Sequence, residues 1–168
     1  MHRRRLLKVG IGVAALLAVT GAGIALIRPG VVSGRLTPEA DAVFAAVARA
    51  VLDKSLPDQV SQHPAALQTH LSRMNALIGA LPVPTQKELS NLLALLASAP
   101  GRTMLAGLGT AWADADTAEI QACMEALRTS SVQLRQQVYH ALRDLTNAAF
   151  YADPSAWPLM GYPGPVTV

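Results

Sequence analysis

Residues Val9 to Ile27 read VGIGVAALLAVTGAGIALI, a run without a charge in which Thr20 is the lone polar side chain. Wound as a helix at ~1.5 Å per residue, it would reach about 28 Å, close to the hydrocarbon thickness of a bilayer. A run this apolar has no place on the surface of a small domain, so the folding problem begins beyond it. The basic cluster in front of it, Arg3-Arg4-Arg5-Leu6-Leu7-Lys8, would hold its positive end on the cytoplasmic side, as in an export signal or an N-terminal anchor.

The same cluster resembles the twin-arginine translocation motif: paired arginines, a further residue, two hydrophobic residues and a lysine. Arg3, Arg4, Leu6, Leu7 and Lys8 carry the match, while His2 stands where Ser or Thr is usual and Leu6 where Phe is commonest. Glycines 10, 12, 21 and 23 make the run milder than a stop-transfer helix, which suits a route that carries folded cargo. Small residues at Thr20-Gly21-Ala22 and Gly23-Ile24-Ala25 offer processing sites without a clean A-x-A. A cleaved signal and a retained membrane helix therefore both stay open. Either places residues 36–168 on the periplasmic side of a bacterial cytoplasmic membrane, with the twin-arginine translocase as first partner.

Charge excludes one class of partner. The chain carries 14 Lys+Arg and 11 Asp+Glu. Six of the cations (Arg3, Arg4, Arg5, Lys8, Arg28, Arg35) precede residue 36, where no acid occurs. From Leu36 onward eight cations face eleven acids, so the part that folds is mildly acidic and has no basic face for nucleic acid.

Beyond the signal or anchor and its short linker (1–35), residues 36–168 make one domain. The expected fold is all-α: a single helical bundle closed by an irregular, Pro/Gly-rich C-terminal tail. Thr37-Pro38-Glu39 reads as a helix start, followed by Ala40, Val43, Phe44, Val47 and Val51 on one stripe, until Leu56-Pro57. Pro64 opens a second helix with Leu67, Leu71, Met74, Ile78 and Leu81, ended by Pro82. Thr85-Gln86-Lys87-Glu88 has the form of a capping box, before a helix burying Leu89, Leu92, Leu93 and Leu96. Residues 102–112 predict a short, glycine-interrupted helix. Asp116 with Glu119 caps another, which carries Ile120, Cys123, Met124 and Leu127. The last runs from Val132 to Tyr151, with Leu134, Val138, Leu142, Leu145 and Ala149 on one side and Gln136, His140, Arg143 and Asn147 on the other. No alternating β-branched run is long enough to predict a strand.

Chemistry-bearing residues are sparse. Cys123 falls on an apolar stripe and reads as a buried thiol; a lone cysteine makes no internal disulfide. His63 and His70 are seven apart without a third ligand nearby, too few for a stable metal site. His140 and Arg143 share a polar stripe, and a small periplasmic enzyme with a cleft around them is the alternative function. The sequence holds no GxGxxG, P-loop, GxSxG or HExxH. Five of the seven aromatics (Tyr139, Phe150, Tyr151, Trp157, Tyr162) fall in the last 30 residues. From Pro154 on, four prolines and two glycines predict turns and extended backbone rather than helix. Trp157 and Tyr162 either dock on a partner or fold back over the bundle.

The run ALRDLTNAAFYADPSAWPLMGYPGP (Ala141 to Pro165) resembles the C-terminal signature of the gluconate 2-dehydrogenase small-subunit family. Its members are also called subunit 3, or the gamma subunit, of membrane-bound flavin dehydrogenases for sugars and polyols. AVARAVLDKSLP (Ala46 to Pro57), LASAPGRTMLAGL with Trp112, and LRTSSVQLRQQVYHAL extend the likeness over most of the chain beyond residue 36. The resemblance implies a non-catalytic subunit that carries the twin-arginine signal for a large flavoprotein dehydrogenase subunit, escorts it and stays bound. It implies no cofactor in this chain. FAD, and an iron–sulfur cluster where there is one, belong to the partner, which passes electrons to a c-type cytochrome subunit. No catalytic, cofactor or metal residue carries over. The expected partner-binding residues are Tyr151, Trp157, Tyr162, Pro163 and Pro165.

Overall fold

A computed structural model describes residues 28–57 and 59–164. The export-signal residues Arg3, Arg4, Leu6, Leu7 and Lys8, the apolar run Val9 to Ile27 and Pro165 lie outside the described residues. Among the described residues no helix is long and apolar enough to cross a membrane.

The fold is helical, as the 3.6-residue periodicity requires, and its centre is helix α1 (Pro38–Val51). Ala40, Val43, Phe44, Ala46, Val47 and Ala48 are all buried, on more than one side of the helix. Small alanines let neighbours approach closely, and four further helices pack on α1: α2 (His63–Gly79), α3 (Val83–Ala97), α4 (Thr117–Arg128) and α5 (Gln133–Tyr151). Helix α5 also packs on α2 and α4, which closes the bundle. Phe44, Met74, Ile78, Leu93, Leu96, Ile120, Leu127 and Leu142 fill the interior. Burying each such side chain is worth roughly 1.5–3 kcal/mol before ordering costs.

A feature without a sequence signal precedes α1. Strands β1 (Val31–Val32) and β2 (Arg35–Leu36) form a two-rung antiparallel hairpin. Ser33 and Gly34 turn it with φ of 50° and 76°, the left-handed geometry that suits a tight hairpin. Distant side chains hold it. Ser90 on α3 accepts from the Val31 amide at 3.0 Å, and Asn75 on α2 accepts from the Leu36 amide at 2.7 Å. Gly30 lies so close to α3 that an added Cβ would sit 2.5 Å from Leu93 Cβ. The chain therefore enters the domain through a fixed contact.

Two capping boxes are spelled in the sequence and one forms. Asp116 Oδ1 accepts from the Glu119 amide at 2.8 Å, and Glu119 returns a carboxylate oxygen to the Asp116 amide at 3.0 Å. At Thr85–Glu88 the helix has already begun: α3 starts at Val83, and no side chain caps it. Pro84 lies in the first turn, where a missing N–H costs nothing. Thr37 likewise flanks α1 without a side-chain cap; its hydroxyl donates to the Gly30 carbonyl at 3.4 Å.

The weak segment after α3 becomes one turn (Ala99–Gly101) running into a π-helical turn (Arg102–Ala106), closed by Gly107 at φ 77°. Gly101 is forced, because a Cβ there would sit 2.0 Å from the Leu95 carbonyl oxygen. Trp112 follows as a core residue, its indole N–H donating to the Leu96 carbonyl at 2.7 Å.

Candidate functional site

The C-terminal end of the bundle gathers most of the residues singled out by sequence. Helix α5 ends at Tyr151, and Asp153 starts the next element by accepting from the Ser155 amide at 2.8 Å. That element is 3₁₀-helical, Pro154–Met160, where turns and extended backbone were expected. The correction has a local cause. Proline's fixed φ is compatible with 3₁₀ turns, Pro154 opens the element where no N–H is needed, and Gly161 ends it at φ 70°.

Trp157 folds back on the end of α5, its indole N–H donating to the Tyr151 carbonyl at 3.0 Å. Tyr162 lies on Trp157 with ring centroids 5.4 Å apart, and Gly164 comes beside the same indole. Tyr151 is half-buried and meets Phe150 edge-on at 5.1 Å. The outer side of the tail remains open: Leu159 is 61% exposed, Met160 51% and Tyr162 45%, and Pro163 is exposed as well. Ala156 points inward and is buried.

Beneath the tail lies a cleft of about 260 Å³. Its walls come from three places: Leu52 to Pro57 after α1, Ala66 to Arg73 on α2, and Phe150 with Ser155, Ala156 and Leu159 at the C-terminal end. His70 belongs to this wall. It is 2% exposed, and among the described residues neither Nδ1 nor Nε2 has a hydrogen-bond partner. Burial, reinforced by the Arg73 guanidinium, lowers its pKa to about 4, so the ring is neutral at pH 7. Arg73, one turn along α2, bonds the Asp153 carboxylate and thereby ties the start of the tail to α2. The Ser155 amide and hydroxyl, followed by Arg73, hold that carboxyl below its ordinary range.

Other expected residues fall elsewhere. Arg143 lines a second cleft of about 260 Å³ with Gln121, Glu125, Arg128 and Tyr139. His140 is not part of its lining; it is exposed and stacks edge-on against Tyr139 at 5.2 Å. Both guanidiniums at that cleft have carboxylate partners, Arg128 with Glu125 at 2.6 Å and Arg143 with Asp144 at 3.2 Å. His63 bonds the Pro57 carbonyl at 2.8 Å. Cys123 is buried, its thiol donating to the Ala106 carbonyl at 3.3 Å, and burial pushes its pKa up to about 11. Among the described residues no group of three His, Cys, Asp or Glu side chains could hold a metal ion.

A wider, open groove of about 680 Å³ runs between the hairpin and α3, past Pro29, Ser33, Gln86, Lys87 and Asn91. Sequence reasoning noticed neither this groove nor the His70–Arg73–Asp153 arrangement. The Arg73–Asp153 pair joins residues 80 apart, a separation that no local pattern reveals. No protein-family model, curated protein or solved structure matches the chain.

Proposed function

We propose that this chain is the non-catalytic small subunit of a flavin-dependent sugar, polyol or alcohol dehydrogenase complex, of the gluconate 2-dehydrogenase small-subunit type. One observation carries the reading: the C-terminal run FYADPSAWPLMGYPGP, together with an N-terminal RRxLLK cluster on the same chain. In this reading Arg3, Arg4, Leu6, Leu7 and Lys8 address the chain to the twin-arginine translocase. A folded flavoprotein subunit travels with it and remains attached on the periplasmic side. FAD, any iron–sulfur cluster and substrate chemistry belong to that partner, and a c-type cytochrome subunit takes the electrons.

The tail supplies a docking strip for this role. Leu159, Met160, Tyr162 and Pro163 offer apolar area to a partner, on a backbone already ordered by its 3₁₀ turns. Preordering lowers the entropic cost of association, and Trp and Tyr commonly anchor interfaces. Tyr151 and Trp157, half-buried behind that strip, act in this reading as its support.

The test co-expresses this chain with a large flavoprotein subunit of a sugar or polyol dehydrogenase from the same genome, followed by cell fractionation. With Arg3→Lys and Arg4→Lys introduced together, both proteins are expected to stay in the cytoplasm. Periplasmic flavoprotein at the unmodified level in that double variant would overturn the escort role. Failure of the two unmodified chains to co-purify would overturn the subunit role.

A further inference from the structure

The cleft beneath the tail holds a contradiction that the fold itself maintains. An imidazole in water makes hydrogen bonds through both nitrogens; among the described residues His70 makes none, and each ring nitrogen is sealed from solvent. Leaving buried polar atoms unpaired is unfavourable, typically by about 1–3 kcal/mol for each group. The cleft that His70 lines is not bounded by the core helices alone. Ser155, Ala156 and Leu159 of the tail line the cleft together with His70 and with Leu52, Ser55, Leu56 and Pro57 of the turn after α1, and Ala156 is the buried residue among them.

The tail is held there by few contacts. Asp153 pairs with Arg73 at its start, and the Trp157 indole bonds the Tyr151 carbonyl. Further bonds lie within the tail and its junction: Ala156 N–H to the Asp153 carbonyl at 3.0 Å, Gly161 N–H to Pro158 at 3.0 Å, and Tyr162 N–H to Trp157 at 3.1 Å. These local bonds can move with the segment as a unit. The hinge is therefore the stretch between Tyr151 and Pro154.

We infer that segment Pro154–Met160 is a cover over His70, closed while the ring is neutral and released when the ring takes a proton. The charges around the ring set the direction. On α2 the nearest cation is Arg73, which opposes a second positive charge. From the tail side, Asp153 already spends its carboxylate on Arg73 and on the Ser155 amide. Helix α5 contributes Phe150 to the wall, and the turn after α1 contributes Leu52, Ser55, Leu56 and Pro57. The turn's own charges, Asp53 and Lys54, are exposed and absent from the lining. Among the described residues an imidazolium under the closed cover thus meets no free carboxylate and is shielded from solvent, and lifting the cover exposes it to water.

The size of the effect follows from linkage. Closed, the ring titrates at about 4; released into water it returns toward its ordinary value of 6.5. The ratio of open to closed forms then rises up to about 20-fold between pH 7 and pH 5. This device concerns the isolated chain and holds whatever the tail binds.

Hydrogen exchange read by mass spectrometry on the full chain tests it, with rates corrected for intrinsic pH dependence. The peptide spanning Asp153 to Tyr162 reports the cover, and peptides from α1 report global unfolding. The expected result is tail exchange faster than α1 exchange at both pH values, with tail protection falling about 10- to 20-fold from pH 7 to pH 5. In His70→Leu that fall disappears; if this variant does not fold, His70→Phe takes its place. Three outcomes overturn the inference: tail protection equal at the two pH values, tail and α1 exchanging together, or an undiminished fall in the His70 variant.

Discussion

At neutral pH the His70 ring is uncharged because burial penalises its charged form and Arg73 lies one turn away. The same fact fixes a contribution to stability. The folded pKa is lowered from 6.5 to about 4, so the unfolded chain takes up the proton first as the solution is acidified. The stability held by the neutral ring is fully present above pH 6.5 and is lost as pH falls toward 4, by about 3 kcal/mol in total. Urea midpoints at pH 7 and pH 4.5 check this: His70→Leu is expected to flatten that part of the curve. A steep, unchanged acid limb in the variant would assign it to carboxylates instead. Cys123 gives a second test at this scale. With its pKa pushed up to about 11 and its thiol bonded to Ala106, it should resist thiol reagents at pH 8 until the protein is denatured. Cys123→Ala is expected to cost about 1–2 kcal/mol of packing, and a larger loss in thermal melts would mean the thiol does more than fill space.

Among the elements, long amphipathic helices were legible and their beginnings less so. Ile120, Cys123, Met124 and Leu127 are buried as their spacing demands, and on α5 Val138, Leu142 and Ala149 face inward while His140 and Arg143 are exposed. On α2 the deepest positions are His70, Met74 and Ile78, whereas Leu67 and Leu71 are half-buried, as is Leu81 just beyond its end. A polar letter hid the inward direction of His70, which lines a cleft shared with the tail and the turn after α1. The two capping boxes differ for a reason that four-letter patterns omit. At Asp116 the residues directly before it form a turn and no helix, so the cap sets the boundary; at Thr85 the preceding Pro82-Val83-Pro84 already starts the helix. This contrast predicts that Asp116→Ala costs about 1 kcal/mol while Thr85→Ala stays within about 0.5 kcal/mol. Chemical denaturation of both variants compares them directly, and equal losses would refute the assigned boundaries. The hairpin escaped notice because its strands of two residues owe their order to Ser90 and Asn75, far along the chain.

For the whole molecule, the question is whether the tail serves the bundle or something outside it. The core residues supplied by α1 to α5 lie before residue 150, and Ala156 is the buried hydrophobe that the tail adds among the described residues. Truncation after Asp153 is therefore expected to leave a helical bundle, with a modest fall in melting temperature and with His70 opened to water. Its acid response should change accordingly: loss of stability between pH 6.5 and 4 shrinks, because the ring no longer titrates under a cover. If the tail also anchors a flavoprotein, the truncated chain should lose that partner. Removal of one large aromatic anchor commonly costs ~2–4 kcal/mol, or roughly 30- to 1,000-fold in affinity. Two measurements separate the roles. Circular dichroism melts on the truncated chain read the service to the bundle, and co-purification of the flavoprotein reads the service to a partner. Collapse of the helical signal would make the tail part of the fold proper. A folded, truncated chain that still retains and exports the flavoprotein would remove Trp157 and Tyr162 from the interface.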